Sequence, residues 1–192
     1  MLRFGNIFLF KKAFTPTRCE DFIHEQIVKP MQQSMVYGGK DDLNIDHRNS
    51  EQCKIMPENP FCRDVARFVR MVNDDFLNIN VFEYCSENSF IRYNEGGRFN
   101  RHKDVLWQAD TVNHISRPIR KISAICLLSE RETFEGGKFV TYDNTKPFNA
   151  QRTSYDFDVG DLIIFPSYVE HQVEEITQGI RYSTVHWSHG GF

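Results

Sequence analysis

The period of the hydrophobic positions changes near residue 80, which splits the chain into a helical part and a strand-rich part. In the first part, Thr17-Arg18-Cys19-Glu20 follows Pro16 as a capping-box pattern, and Phe22, Ile23 and Ile27 come at helical spacing. These predict a helix over residues 17–29, stopped at Pro30. Residues 38–58 are polar and read as a loop holding one short strand. Phe61, Val65, Phe68, Val69, Val72 and Phe76 then recur every three or four residues, the mark of an amphipathic helix whose apolar stripe packs on a sheet.

Beyond residue 80 the pattern becomes short apolar runs broken by turn residues. Strands are predicted at 81–84, 90–94, 99–102, 120–128, 137–142, 155–158, 161–166, 172–176 and 181–187. Turns fall at Gly96-Gly97, Gly136-Gly137, Gly160-Asp161 and Gln178-Gly179, with the paired glycines expected to supply positive φ. Near the start, FGNIFLFKKAF reads as a first strand rather than as a targeting peptide. The expected fold class is mainly β with supporting α-helices, a closed sandwich or barrel with the two N-terminal helices buttressing one sheet. Residues 1–192 read as a single domain, with 1–79 as helical support and 80–187 as the core. The longest irregular stretch, 105–118, is where a lid or substrate loop would sit.

Composition narrows the function classes. A net charge of -3 gives no general attraction to nucleic-acid phosphates, and Arg98, Arg101 and Lys103 read as local electrostatics rather than a binding patch. The five cysteines are scattered without a CxxC pair, which argues against a zinc ribbon or disulfide framework. They point instead to the cytoplasm or another reducing compartment. No apolar run is long enough to span a bilayer, so no membrane partner is expected.

The candidate chemistry lies in FNRHKDVLW. His102 and Asp104 are two residues apart, so on a strand they share a face. His171 lies far downstream and joins them only if the fold brings distant strands together. Two imidazoles and a carboxylate on one face of a metal leave open positions, an arrangement suited to non-haem Fe(II). Taken singly, each histidine reads as a satisfied, partly buried side chain.

Arg181 follows His171 by ten residues, and its plain reading is a surface ion pair with Glu174 or Glu175. Strand parity in RYSTVHW puts Arg181, Ser183, Val185 and Trp187 on one face, so an inward Arg181 brings Ser183 with it. His186 then points away from the pocket, His189 falls in a C-terminal tail, and both are poor ligand candidates. Tyr93 reads either as core or as a hydroxyl reaching a bound diacid. Ser123, Ile125 and Leu127 share a pocket-lining face, Cys126 is core, and Trp107 and His114 lie in the long loop.

Taken in order, these segments resemble the Fe(II)/2-oxoglutarate-dependent dioxygenases, prolyl 4-hydroxylase-like branch, from about residue 6 to Trp187. IFLFKKAFTPTRCEDFI is similar to that branch's opening strand and cysteine-bearing helix, and IRYNEGGRFNRHKD to its H-x-D strand pair. ETFEGGKFVTY is similar to its glycine-pair hairpin, and DVGDLIIFPSYVEHQVEEITQGIRYSTVHW to its closing segment. The resemblance implies a double-stranded β-helix (jelly-roll) core, with His102, Asp104 and His171 as iron ligands. Arg181 would anchor the far carboxylate of 2-oxoglutarate, with Ser183 and Tyr93 as further contacts. Some relatives have a tyrosine where Leu127 stands, which leaves Tyr93 or Ser183 to serve here. Arg48 and Ser50 fall where relatives place a strand near the substrate entrance.

The implied cofactors are Fe(II), 2-oxoglutarate and O2, with ascorbate as a candidate reductant. The implied substrate is a prolyl residue of a peptide or protein. The alternatives are a hydroxylase of a free amino acid or other small molecule, a non-catalytic metal-binding jelly roll, and a cupin-like metal enzyme. The oligomeric state is not legible in the sequence.

Overall fold

The computed structural model describes residues 1–35, 44–105, 119–143 and 151–191. Residues 106–118, where the lid or substrate loop with Trp107 and His114 is expected, lie outside that description. Two antiparallel sheets face each other as a jelly roll. The larger has eight strands, in the order Leu2–Phe4, Ile7–Phe10, Leu162–Pro166, Ile119–Leu127, Arg181–Gly190, Glu83–Tyr93, Glu51–Ile55 and Gln32–Gln33. The smaller has five: Gln151–Ser154, Phe139–Asp143, Glu170–Val173, Arg98–His102 and Arg48–Asn49. A two-stranded ribbon pairs Ile176–Gly179 with Phe134–Gly136.

Period-two alternation divides the apolar side chains of the large sheet between two cores. Phe8, Phe10, Ile122, Ala124, Cys126, Leu162 and Ile164 point outward and pack with Cys19, Phe22, Phe61, Val65 and Val69 of the helices. Ile7, Leu9, Ile125, Leu127, Ile163 and Phe165 point inward and meet Phe139 and Val173 of the small sheet. The helices therefore cover the back of the large sheet and leave its front to build a site.

The first helix spans Pro16–Ile27, and its cap is Thr15 rather than Thr17, with Oγ1 accepting from Arg18 N at 3.3 Å. Proline has no N–H to satisfy and suits the first helical position, which puts the cap just before Pro16. The second helix, Pro60–Val72, is capped by Asn59 and runs into a π-turn, Asn73–Leu77. Phe76 sits in that turn, exposed.

Several strand expectations change, and the run at 172–176 divides between Glu170–Val173 and Ile176–Gly179. The runs at 81–84 and 90–94 belong to one strand, Glu83–Tyr93, whose polar middle is satisfied from within and from neighbouring strands: Asn88 Nδ2 donates to the Cys85 carbonyl and Asn88 Oδ1 accepts from His186 Nδ1, both at 2.8 Å. Instead of 155–158, the strand is Gln151–Ser154. Tyr155 and Phe157 turn into the core, and Asp161 pins the bend by accepting from Lys12 N at 2.7 Å and Asp158 N at 2.8 Å. The last strand runs on to Gly190, so His189 is paired in the sheet rather than in a tail, with Nδ1 2.8 Å from Ser86 Oγ.

Candidate metal centre

His102 ends one strand of the small sheet and His171 lies directly opposite it on the neighbouring strand. Asp104 lies two residues beyond the strand end, held there by its own N–H donating to the Ser167 carbonyl at 3.0 Å. The three side chains converge. Asp104 Oδ1 is 3.5 Å from His102 Nε2, Oδ2 is 3.7 Å from His171 Nε2, and all three donor atoms lie within 4.8 Å of one another.

Each imidazole is held by its own strand. His102 Nδ1 donates to the Asn100 carbonyl at 2.7 Å and His171 Nδ1 to the Val169 carbonyl at 2.9 Å. With Nδ1 carrying the proton, each Nε2 offers a lone pair to the centre. Burial, and then the neighbouring His102, push the His171 pKa down to about 4, which keeps that imidazole neutral. Burial alone would raise the Asp104 pKa, but His171 and His102 outweigh it and hold the carboxyl well below the usual range.

A metal fits this arrangement. His102 Nε2 is buried without a hydrogen-bond partner, and the donor set suits a divalent ion of the first transition row. Around it sit groups that sequence reading missed or misplaced. Ser123, expected to line the pocket, instead donates to Asp104 Oδ2 at 2.6 Å and bonds Ser167 Oγ at 2.9 Å. The Phe99 ring stacks on His102 with centroids 3.5 Å apart.

Arg181 is 1% exposed and points inward with Ser183, Val185 and Trp187, as parity predicts. Its Nη1 donates to Ser183 Oγ at 3.0 Å, while Nη2 is buried with no partner among the described residues. The alternative, a surface ion pair, does not form: Glu174 bonds Arg152, and Glu175 lies 3.5 Å from Arg98. Tyr93 is the cross-strand neighbour of Arg181, whose guanidinium carbon is 5.5 Å from the Tyr93 ring centroid. A small cavity of about 30 Å3 touches the triad, Tyr93, Arg181 and Ser183. Leu127 borders Arg181 in a second cavity of about 280 Å3.

Of the paired glycines, Gly96, Gly136 and Gly137 have positive φ. Gly97 does not, and what it supplies is room, since a Cβ there would lie 2.6 Å from the Asn94 carbonyl oxygen. His186 faces the helices and bonds Asn88 and Thr184, away from the centre. All five cysteines are unpaired and buried, and among the described residues no helix is long and apolar enough to cross a membrane.

Comparison with known proteins bears on this geometry. A PKHD-type hydroxylase of Aliarcobacter butzleri is 27% identical over 152 residues, 79% of this chain and 64% of the relative. A second, from Stutzerimonas stutzeri, is 30% identical over 70% of this chain and 58% of the relative. This chain thus spans about 60% of the length of these curated relatives. In fold it is similar to a Pseudomonas putida prolyl-4-hydroxylase, with a TM-score of 0.72 at 16% identity over 97% of this chain and 94% of the other. Residues 89–189, which carry the triad and Arg181, match the profile of one family, and the chain belongs to it: the 2OG-Fe(II) oxygenase superfamily.

Proposed function

We propose that the protein is an Fe(II)- and 2-oxoglutarate-dependent hydroxylase that uses O2 and releases succinate and CO2. His102, Asp104 and His171 hold the iron, and residues 80–187 carry these ligands and Arg181, while 1–79 adds the two helices and the strands Ile7–Phe10, Arg48–Asn49 and Glu51–Ile55 to the same domain. When bound, the iron supplies the oxygen chemistry, and the protein contributes position and shielding. Arg181 and Ser183 take the far carboxylate of 2-oxoglutarate, and a guanidinium fork suits that group. Ser123 and Ser167 keep Asp104 from turning out of the centre, and the two strand carbonyls keep both imidazoles aimed inward.

The observation that carries this reading is the pairing of a convergent His-Asp-His set with a buried guanidinium that lacks a carboxylate partner among the described residues. The name of the Pseudomonas putida prolyl-4-hydroxylase, which shares this fold, favours a prolyl residue of a peptide or protein as substrate. A free amino acid or other small molecule is the second reading, favoured by a cleft of about 540 Å3 over His102 and Asp104, a size typical of small-ligand sites.

The test is anaerobic titration of Fe(II), followed by 2-oxoglutarate turnover in air. One ferrous ion per chain and succinate formation, both lost in Asp104→Ala, are expected. A folded protein that binds no iron, or that binds it equally well without Asp104, refutes the assignment.

A further inference from the structure

We propose that Arg48 binds the substrate, and that the substrate carries a carboxylate which this guanidinium receives beside the metal centre. The proposal rests on the hydroxylase reading and adds to it the chemical class of the molecule oxidised.

Arg48 is the second buried arginine at this site, 7% exposed and bordering both the small cavity beside the triad and the larger cleft over it. All its partners are neutral. Nε donates to Ser50 Oγ at 3.1 Å, Nη1 to the Met35 carbonyl at 3.3 Å and Nη2 to Gln52 Oε1 at 3.3 Å. A guanidinium has five N–H donors in a fork shaped for a carboxylate, so two remain to bind one. A charge this deep is costly unless an anion meets it, and no carboxylate among the described residues forms an ion pair with it.

Its position ties that anion to the chemistry. Arg48 pairs across strands with Phe99, and its guanidinium carbon lies 4.5 Å from the Phe99 ring centroid. Phe99 in turn stacks on His102, so a single aromatic ring separates the cation from a metal ligand.

The rest of the cleft has the same bias. Lys54 and Lys103 line it, and Trp187 contributes an Nε1–H with no acceptor among the described residues. Apart from Asp104, the carboxylate in the cleft is Glu87, which is taken by Arg120 at 3.0 Å and by His189 at 3.5 Å. A chain of net charge -3 has thus gathered unmatched donors and cations around one opening. That environment selects an acceptor-rich anion.

The carboxylate can belong to a free acid, a chain terminus or an acidic side chain, and the probes separate these. The protein loaded with Fe(II) and 2-oxoglutarate is titrated without oxygen in a calorimeter. One arm uses free amino acids, one uses N-acetyl amino acids, and one uses the side-chain acid of N-acetyl-aspartamide, each against its uncharged amide. In at least one arm the acid should bind about tenfold or more tighter than the amide, as a charge-assisted bond predicts. Arg48→Gln should bring that ratio to within about twofold while 2-oxoglutarate affinity stays within about twofold.

The proposal is overturned if acids bind no tighter than amides in every arm, absence of any binding included. It is also overturned if the preference survives Arg48→Gln, or if that variant instead loses 2-oxoglutarate. The wild-type comparison needs no variant, so it can overturn the proposal even if Arg48→Gln fails to fold, and Arg48→Met then takes its place as the variant that must lose the preference. Binding of 2-oxoglutarate to the Fe(II)-loaded wild type is measured first. Its absence sinks the hydroxylase reading, and the acid-against-amide comparison is then read on the Fe(II)-loaded protein by itself.

Discussion

Replacing Arg181 with methionine should stabilise the protein in the absence of 2-oxoglutarate and cripple its affinity for that diacid. Arg181 is 1% exposed, with one hydrogen bond to Ser183 and an Nη2 that has no partner among the described residues. Burial brings its pKa from 12.5 to about 10, which corresponds to about 3 kcal/mol against the charged form in the folded protein. The folded pKa lies below the unfolded one, so this penalty is fully present at any pH below 10. Methionine removes it, at the loss of one hydrogen bond worth about 1 kcal/mol. The balance is a gain of about 1–2 kcal/mol, or a Tm higher by about 2–8 °C for a chain of this size. In the complex the sign reverses. Truncating one side of a buried, hydrogen-bonded charge pair costs about 2–5 kcal/mol, so affinity should fall by roughly 30- to 5,000-fold. Thermal melts with and without 2-oxoglutarate, alongside its titration in the succinate assay, measure both halves. An Arg181→Met protein less stable than wild type, with an unaltered 2-oxoglutarate requirement, would return Arg181 to a structural role.

Ser123→Ala removes the 2.6 Å bond to Asp104 and should weaken ferrous binding by about 10- to 100-fold, read by metal titration, with unchanged affinity counting against the serine clamp. Gly137→Ala would place a Cβ 2.3 Å from Ile176 Cδ1 and 3.0 Å from Arg181 Cδ, at a φ of +58°. It should raise the 2-oxoglutarate requirement while sparing iron uptake, and loss of iron uptake instead would mean that the damage spreads beyond Arg181. His186 donates from Nδ1 to Asn88 Oδ1 and accepts at Nε2 from Thr184 Oγ1, both at 2.8 Å, and burial pushes its pKa to about 3. The unfolded chain takes up that proton near the ordinary histidine value, so stability is lost as pH falls from about 6.5 toward 3, by at most ~1.4 kcal/mol per unit. His186→Gln should flatten the drop in urea midpoint between pH 7 and pH 5, and an identical drop in both proteins would exclude His186 as its source.

What the sequence made legible was parity, because alternation is a local property of a strand. It put Arg181 and Ser183 inward and His186 outward, as found. It could not say which distant segment would lie alongside. Ser123 read as one more pocket-lining residue, and its contact with Asp104 exists only because Ser167, at the end of another strand, holds the Asp104 backbone. The two runs at either end of Glu83–Tyr93 looked separate because Glu87, Asn88 and Ser89 lie between them, and their partners Arg120 and His186 come from remote strands. The two arginines show the same limit. Arg181 stood out because Val185 and Trp187 share its face, so its charge conflicted with an apolar pattern. Arg48 sits between polar neighbours in a stretch that reads as loop, where a charge provokes no conflict. Only pairing with Phe99, fifty-one residues away, buries it. A buried cation is thus visible in advance when its own strand is apolar, and invisible when the apolar cover comes from elsewhere in the chain.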